Sequence, residues 1–239
     1  MVWSYAPTRM ETPPNRLLAA LPNDELERLR PHLQPVVVSA RQVIHEPDEP
    51  IRHVYFVNRG IVSFVMVLED GFQIEVAMAG NEGMIGAGVV LGLATTSVQA
   101  LAQLPVELLR VDAAVLKRLA HPSTELYRCI SRYLLALQIM MAQTAACNCV
   151  HHVRRRLCKW MLLAHDRAHA DTFSLSHDFI AQMLGVRRPT ITVVAGRLQK
   201  AKLIRYHRGR VAILNRKGLE GCSCECYGVM RKEFDRILR

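Results

Sequence analysis

The chain has 239 residues, half of them hydrophobic, which is enough for one or two domains with real cores. Its net charge of +10 is uneven: residues 154–217 hold fifteen Lys and Arg against three Asp, whereas residues 1–153 carry a net −2. A basic block beside a mildly acidic one marks a polyanion-binding module attached to something else. No apolar run reaches the ~18 residues of a membrane span, and the N-terminal MVWSYAPTRMETPPNR lacks an apolar leader core, so a soluble cytoplasmic chain without a membrane partner is expected.

In chain order, residues 20–31 predict a short helix with Asn23 as its cap. Short strands follow at Val36–Val38, Val54–Val57, Ile61–Val67, Phe72–Met78, Val98–Ala102 and Val106–Val111. Asp70-Gly71 between alternating runs is a strong hairpin signal. Several short strands so closely spaced predict a small antiparallel β-barrel or sandwich.

From Ser123 to His152 there is neither Gly nor Pro. Tyr127, Ile130, Leu134, Leu137, Met141 and Thr144 recur at three- and four-residue steps, a coiled-coil-like seam on one helix of roughly 45 Å. Such a helix is too long for one small barrel to cover, so the seam, Ile130 to Thr144, is expected to join two copies.

Residues 154–168 predict a further amphipathic helix. Ser176 then caps a helix over 177–184, Gly185-Val186 ends it, and Pro189 starts a second helix to Lys200. Leu203–Tyr206 and Arg210–Leu214 flank His207-Arg208-Gly209 as a hairpin. Helix, glycine turn, helix and β-wing is the winged helix-turn-helix order. The N-terminal end of the second helix would meet base edges and phosphates. The candidate contacts to double-stranded DNA are Ser176, Arg187, Arg188, Pro189, Thr190, Thr192, Arg197, His207 and Arg208.

The stretch FIAQMLGVRRPTITVVAGRLQKAKLI resembles the helix-turn-helix of the Crp/Fnr family. VYFVNRGIVSF, around Gly60, looks like that family's barrel signature, and Gly83-Met84-Ile85-Gly86 like its effector cassette. The resemblance implies an α+β fold: an antiparallel barrel of the cyclic-nucleotide-binding jelly-roll type (1–122), a long dimerisation helix (123–153) and a winged helix with a helical tail (154–239). It also implies a homodimer on a near-palindromic operator, RNA polymerase as a further partner, and a small-molecule effector of unknown identity. By family position, Arg187 and Thr190 would hold phosphate and Arg188 would read a base. This chain departs from the family at Pro189 and Val193, where the usual motif has further base-reading residues.

The effector side departs too. The candidate pocket is Gly83, Ile85, Gly86, Ala87, Thr96 and Ser97. The family's cyclic-nucleotide binders carry a Glu after the cassette glycine and an Arg downstream. Here Ala87 follows Gly86, and no Arg or Lys occurs between Arg59 and Arg110. A buried phosphate would lack its charge-assisted partner, so cyclic AMP control is not expected. His32, His45 and His53 have no spacing that marks a haem ligand.

No metal or cofactor is assigned. All seven Cys follow residue 128, so the family's N-terminal iron–sulfur ligands are missing, and their odd number argues against a disulfide framework. Cys222, Cys224 and Cys226, alternating along one helix, would scatter around its axis with no nearby His. Cys147, Cys149, His151 and His152 read as helix packing. Catalytic motifs such as a Gly-rich phosphate loop, His-Glu-x-x-His or Gly-x-Ser-x-Gly do not occur, so an enzyme is not expected. The alternative to a DNA-binding regulator is a cyclic-nucleotide-domain-like sensor or regulatory subunit whose basic block binds another polyanion.

Overall fold

The computed structural model describes residues 13–168 and 170–237; most of the stretch expected to lack a leader core lies outside them. Eight strands form two four-stranded antiparallel sheets that face each other: β1 (Gln34–Val38), β2 (Val43–His45), β3 (His53–Arg59), β4 (Val62–Val67), β5 (Gln73–Ala79), β6 (Met84–Ile85), β7 (Val98–Ala102) and β8 (Val106–Asp112). Their orders are β1-β8-β3-β6 and β2-β7-β4-β5. Alternation along β3 buries Val54 and Phe56 while His53 and Tyr55 stay half-exposed. Each such apolar side chain contributes about 1.5–3 kcal/mol by leaving water. Gly60 holds a φ of +89°, and a Cβ there would sit 2.3 Å from the Pro105 carbonyl oxygen, so no other residue fits. This is the antiparallel jelly roll expected from the sequence, with β2 and β6 added.

The N-terminal helices differ from expectation. Asn15, fully buried, caps α1 (Arg16–Ala19): its Oδ1 accepts from the Leu17 and Leu18 amides while its Nδ2 donates to Val57 and Gly83 carbonyls. Asn23 is not a cap. It begins α2 (Asn23–Leu29), whose cap position is Pro22. After β8, Asp112 caps α3 (Ala113–Leu119).

The long helix, α4 (Glu125–Val150), rises over about 39 Å. Thr124 caps it, and Glu25 of α2 accepts from the Glu125 and Leu126 amides at 2.8 Å each, an anion against the helix N-terminus. One face, with Leu126, Ile130, Tyr133, Ala136 and Met140, packs on the barrel and the last helix. Ile130 is therefore spent inside the chain and is not available to a seam; Leu134, Leu137, Met141 and Thr144 are half-buried. By length and composition alone α4 is apolar enough to cross a membrane, contrary to the count made from uninterrupted runs, yet only 22% of its most apolar window is buried.

The remaining elements are α5 (Val153–Ala168), β9 (Thr172–Ser174), α6 (His177–Leu184), α7 (Arg188–Lys200), β10 (Ile204–His207), β11 (Arg210–Ile213), α8 (Arg216–Cys222) and α9 (Cys226–Ile237). They dock on the barrel through polar contacts that burial makes strong. Trp160 Nε1 donates to Glu75 Oε1 at 2.8 Å, and Arg167 Nε donates to Glu82 Oε1 at 2.6 Å with both side chains 8% exposed. Outside these, Gln182 donates to Gln73 and the Arg41 guanidinium lies 3.3 Å from the centre of the Phe179 ring.

Candidate nucleic-acid interface

α6 begins where Ser176 Oγ accepts from the Phe179 amide, 3.2 Å away. It ends at Gly185, whose φ of +62° turns the chain at once into α7. Phe179, Ile180, Met183 and Leu184 of α6 interdigitate with Ile191, Val194 and Leu198 of α7, which fixes the angle between the two helices. α7 starts one residue earlier than expected, with Arg188 in first place and Pro189 in second. Pro189 has no N–H to leave unsatisfied there.

Arg187, Arg188, Pro189, Thr190, Thr192, Val193 and Arg197 are all exposed. At 100° per residue, the middle of that exposed face is Pro189, Val193 and Gly196, with Lys200 at its far end. Arg188 and Thr192 lie on one flank, Thr190 and Arg197 on the other. Arg188 pairs loosely with Asp178, 3.3 Å apart and both mostly exposed, a link worth little that a phosphate or base can displace.

Thr192 is not a free reader. Its hydroxyl donates to the Arg188 carbonyl and lies 3.1 Å from His177 Nδ1. His177 stacks on Tyr206 of the wing, 4.1 Å between ring centres, and Tyr206 Oη donates to the Leu175 carbonyl. Burial, reinforced by the charge of Arg188, holds His177 below the usual imidazole range, so this spacer between α6, α7 and the wing stays neutral at pH 7. The wing, ordered β10-β11-β9, carries exposed His207 and Arg208 at its turn, as expected from the sequence. Two further exposed cations, Arg205 and Arg210, flank that turn, and Val193 is 54% exposed in mid-helix. The sequence reading singled out Val193 only as a departure from the family's base-reading pattern, and it did not single out Arg205 or Arg210. The signals available were the charge of the segment for the arginines and a β-branched residue out of step with the core for Val193.

The effector cassette is packed rather than open. A Cβ on Gly83 would lie 2.8 Å from Tyr133 Oη, and that hydroxyl donates to the Met84 carbonyl at 3.0 Å. A Cβ on Gly86 would meet Val54 at 2.6 Å. Ile85 and Ala87 are buried, Thr96 caps its own strand by accepting from the Val98 amide, and Ser97 is exposed. Charged groups buried on the barrel are Glu75 and Glu82, neither of which favours a phosphate.

Residues 35–122 match the cyclic nucleotide-binding domain model and residues 155–222 the Crp-like helix-turn-helix domain model. Together these cover well over half of the chain, in the order that the fold presents. The chain belongs to the Crp/Fnr family. Similar proteins are the global nitrogen regulators of Synechococcus elongatus, 27% identical over 73% of this chain and 82% of that one, and of a Synechocystis species, 28% identical over 84% and 93%. Among solved structures, FixK2 from Bradyrhizobium japonicum superposes with a TM-score of 0.69 at 18% identity, over 80% of this chain and 98% of that one. The c-di-GMP-responsive regulator CLP of Xanthomonas campestris gives 0.66 at 18%, over 80% and 99%. Crp/Fnr proteins are DNA-binding transcription regulators and not enzymes, and this member has the winged helix for that role.

Proposed function

We propose that this Crp/Fnr regulator works in the cytoplasm as a homodimer on a near-palindromic operator, where it recruits or blocks RNA polymerase. The division into a sensing barrel (1–122), a dimer helix (123–153) and a reading domain (154–239) belongs to the same proposal. The observation that carries it is the cationic, exposed start of α7 beside an arginine-rich wing. Arg188 specifies a base, Arg187 and Thr190 hold phosphate, and Val193 offers methyl groups to a thymine methyl. Ser176 orients α6, while Arg197, His207 and Arg208 lie along the flanking backbone.

Selection from a random oligonucleotide pool tests this assignment. Arg188→Ala is expected to cost about 1–3 kcal/mol per half-site and to relax the preference at one base pair in each. Arg187→Ala is expected to weaken all sequences alike and to reduce the salt slope by about one unit for each phosphate left without its cation. An unchanged consensus after Arg188→Ala moves base reading to Val193 or to DNA bending.

We further propose that cyclic AMP does not control the protein. The support is Tyr133 against Gly83, Ala87 after the cassette, and the absence of any Arg or Lys between Arg59 and Arg110. Calorimetry with cyclic AMP and cyclic GMP at high micromolar concentration is expected to give only heats of dilution. A saturable isotherm would refute the proposal. The small molecule that the barrel senses, on this reading, is one without a phosphate to bury.

A further inference from the structure

The helical tail returns to the end of α4 and brings distant thiols together. The Sγ atoms of Cys147, Cys224 and Cys226 and a ring nitrogen of His151 all lie within 4.8 Å of one another. Cys147 and Cys224 are 3.6 Å apart, as are Cys226 Sγ and His151 Nδ1. A tetrahedral ion with metal–sulfur bonds of about 2.3 Å has ligand–ligand edges of about 3.8 Å. Four ligand atoms this compact surround one ion, not a polynuclear iron–sulfur cluster. The sequence-based expectation of scattered thiols fails because the helix breaks: α8 stops at Cys222, Cys224 lies in the turn, and α9 starts at Cys226. The expectation that no His is near fails because His151, 75 residues from Cys226 along the chain, sits beside it.

We propose that Cys147, His151, Cys224 and Cys226 bind one zinc ion that ties the end of α4 to the α8–α9 turn. The surroundings are those of a metal site. Glu225 Oε1 lies 3.2 Å from His151 Nε2, the carboxylate-to-imidazole contact that fixes which nitrogen faces the ion. Gln143 Nε2 donates to Cys226 Sγ at 3.1 Å. The three cysteines are buried and form a small cluster of their own apart from the main core. Zinc binds the three sulfurs as thiolates, any thiol protons leaving to solvent, and with a neutral imidazole the loaded site has net charge −1 beside the buried Lys159. Cys149 is exposed and outside the group, and Cys222 accepts from Arg154 at 3.4 Å instead. Because His151 is the first of the two residues between α4 and α5, the ion would fix the hinge from which the winged helix hangs.

The full-length chain, purified under reducing conditions, is expected to carry about one zinc per chain by elemental mass spectrometry. Removing it and adding cobalt(II) is expected to give intense tetrahedral d–d bands and a sulfur-to-cobalt charge-transfer band. Metal removal should lower Tm by roughly 5–10 °C, reversed by zinc. Cys226→Ser should lose the stoichiometric metal, Cys149→Ser should keep it, and Glu225→Gln should weaken zinc by about 10–100-fold. Where a cysteine variant does not fold, His151→Cys keeps the test alive: four sulfurs should still bind cobalt with a stronger charge-transfer band. Folded protein without zinc and without the cobalt spectrum overturns the proposal, as does iron or copper at one per chain or metal content indifferent to Cys226→Ser.

Discussion

Leu135→Asp is expected to turn the proposed homodimer into monomers and to cut operator affinity by about 10²–10⁴-fold, the advantage that disappears when two half-sites are no longer read by one particle. Leu135 is 55% exposed on the face of α4 that points away from the barrel. Gln138, Ile139, Ala142, Ala145 and Ala146 continue that face, and the small side chains of the three alanines would let a second helix come close. The proposed homodimer would cover this apolar face, because a second copy would supply the same stripe in return. An Asp at each Leu135 would place two charges in the contact without reaching the barrel core. Leu93→Asp, equally exposed but on the barrel surface, should leave the dimer intact. Sedimentation velocity and DNA titration read both variants. A Leu135→Asp dimer that still binds a palindrome tightly would place the seam elsewhere.

The sequence made some of this legible and hid the rest for definite reasons. Local signals held: Asp70-Gly71 turns β4 into β5, and the Ser176 cap, Gly185 turn and Pro189 mark the helix-turn-helix to within a residue. Periodicity found α4 but could not say which of its stripes the barrel covers, and it put the buried Ile130 in the seam. Both of its stripes are apolar, and only the position of the barrel decides that Ile130 points inward and Leu135 outward. β2 and β6 were missed because three and two residues carry no alternation to read. The Cys/His group and the Glu75–Trp160 and Glu82–Arg167 contacts join residues 75 to 85 positions apart, so no spacing rule could announce them.

The contact between Glu75 and Trp160 sets a pH dependence that the sequence does not suggest. Glu75 is almost fully buried, and burial raises its carboxyl from 4.5 to about 7. The hydrogen bonds from Ser63 and Trp160 and the charges of Lys159 and Arg167 pull the other way and do not win. Between pH 4.5 and 7 the folded chain therefore keeps a proton that the unfolded chain has released. Stability from this group is greatest below 4.5, falls as pH rises through that window and levels off above about 7. The whole change is about 3 kcal/mol, from 1.36 kcal/mol per unit. Glu75→Gln keeps an acceptor for the Trp160 N–H but cannot ionise, so the variant should gain on wild type by about that amount between pH 5 and 8. Urea unfolding at a series of pH values gives the difference directly, and taking it between two chains cancels every other titrating group. Parallel stability curves would mean that Glu75 titrates alike in both states. The group sits where α5 meets the barrel, so its charging above pH 7 should loosen that junction first. Trp160 fluorescence should then shift to the red at denaturant concentrations below the main transition.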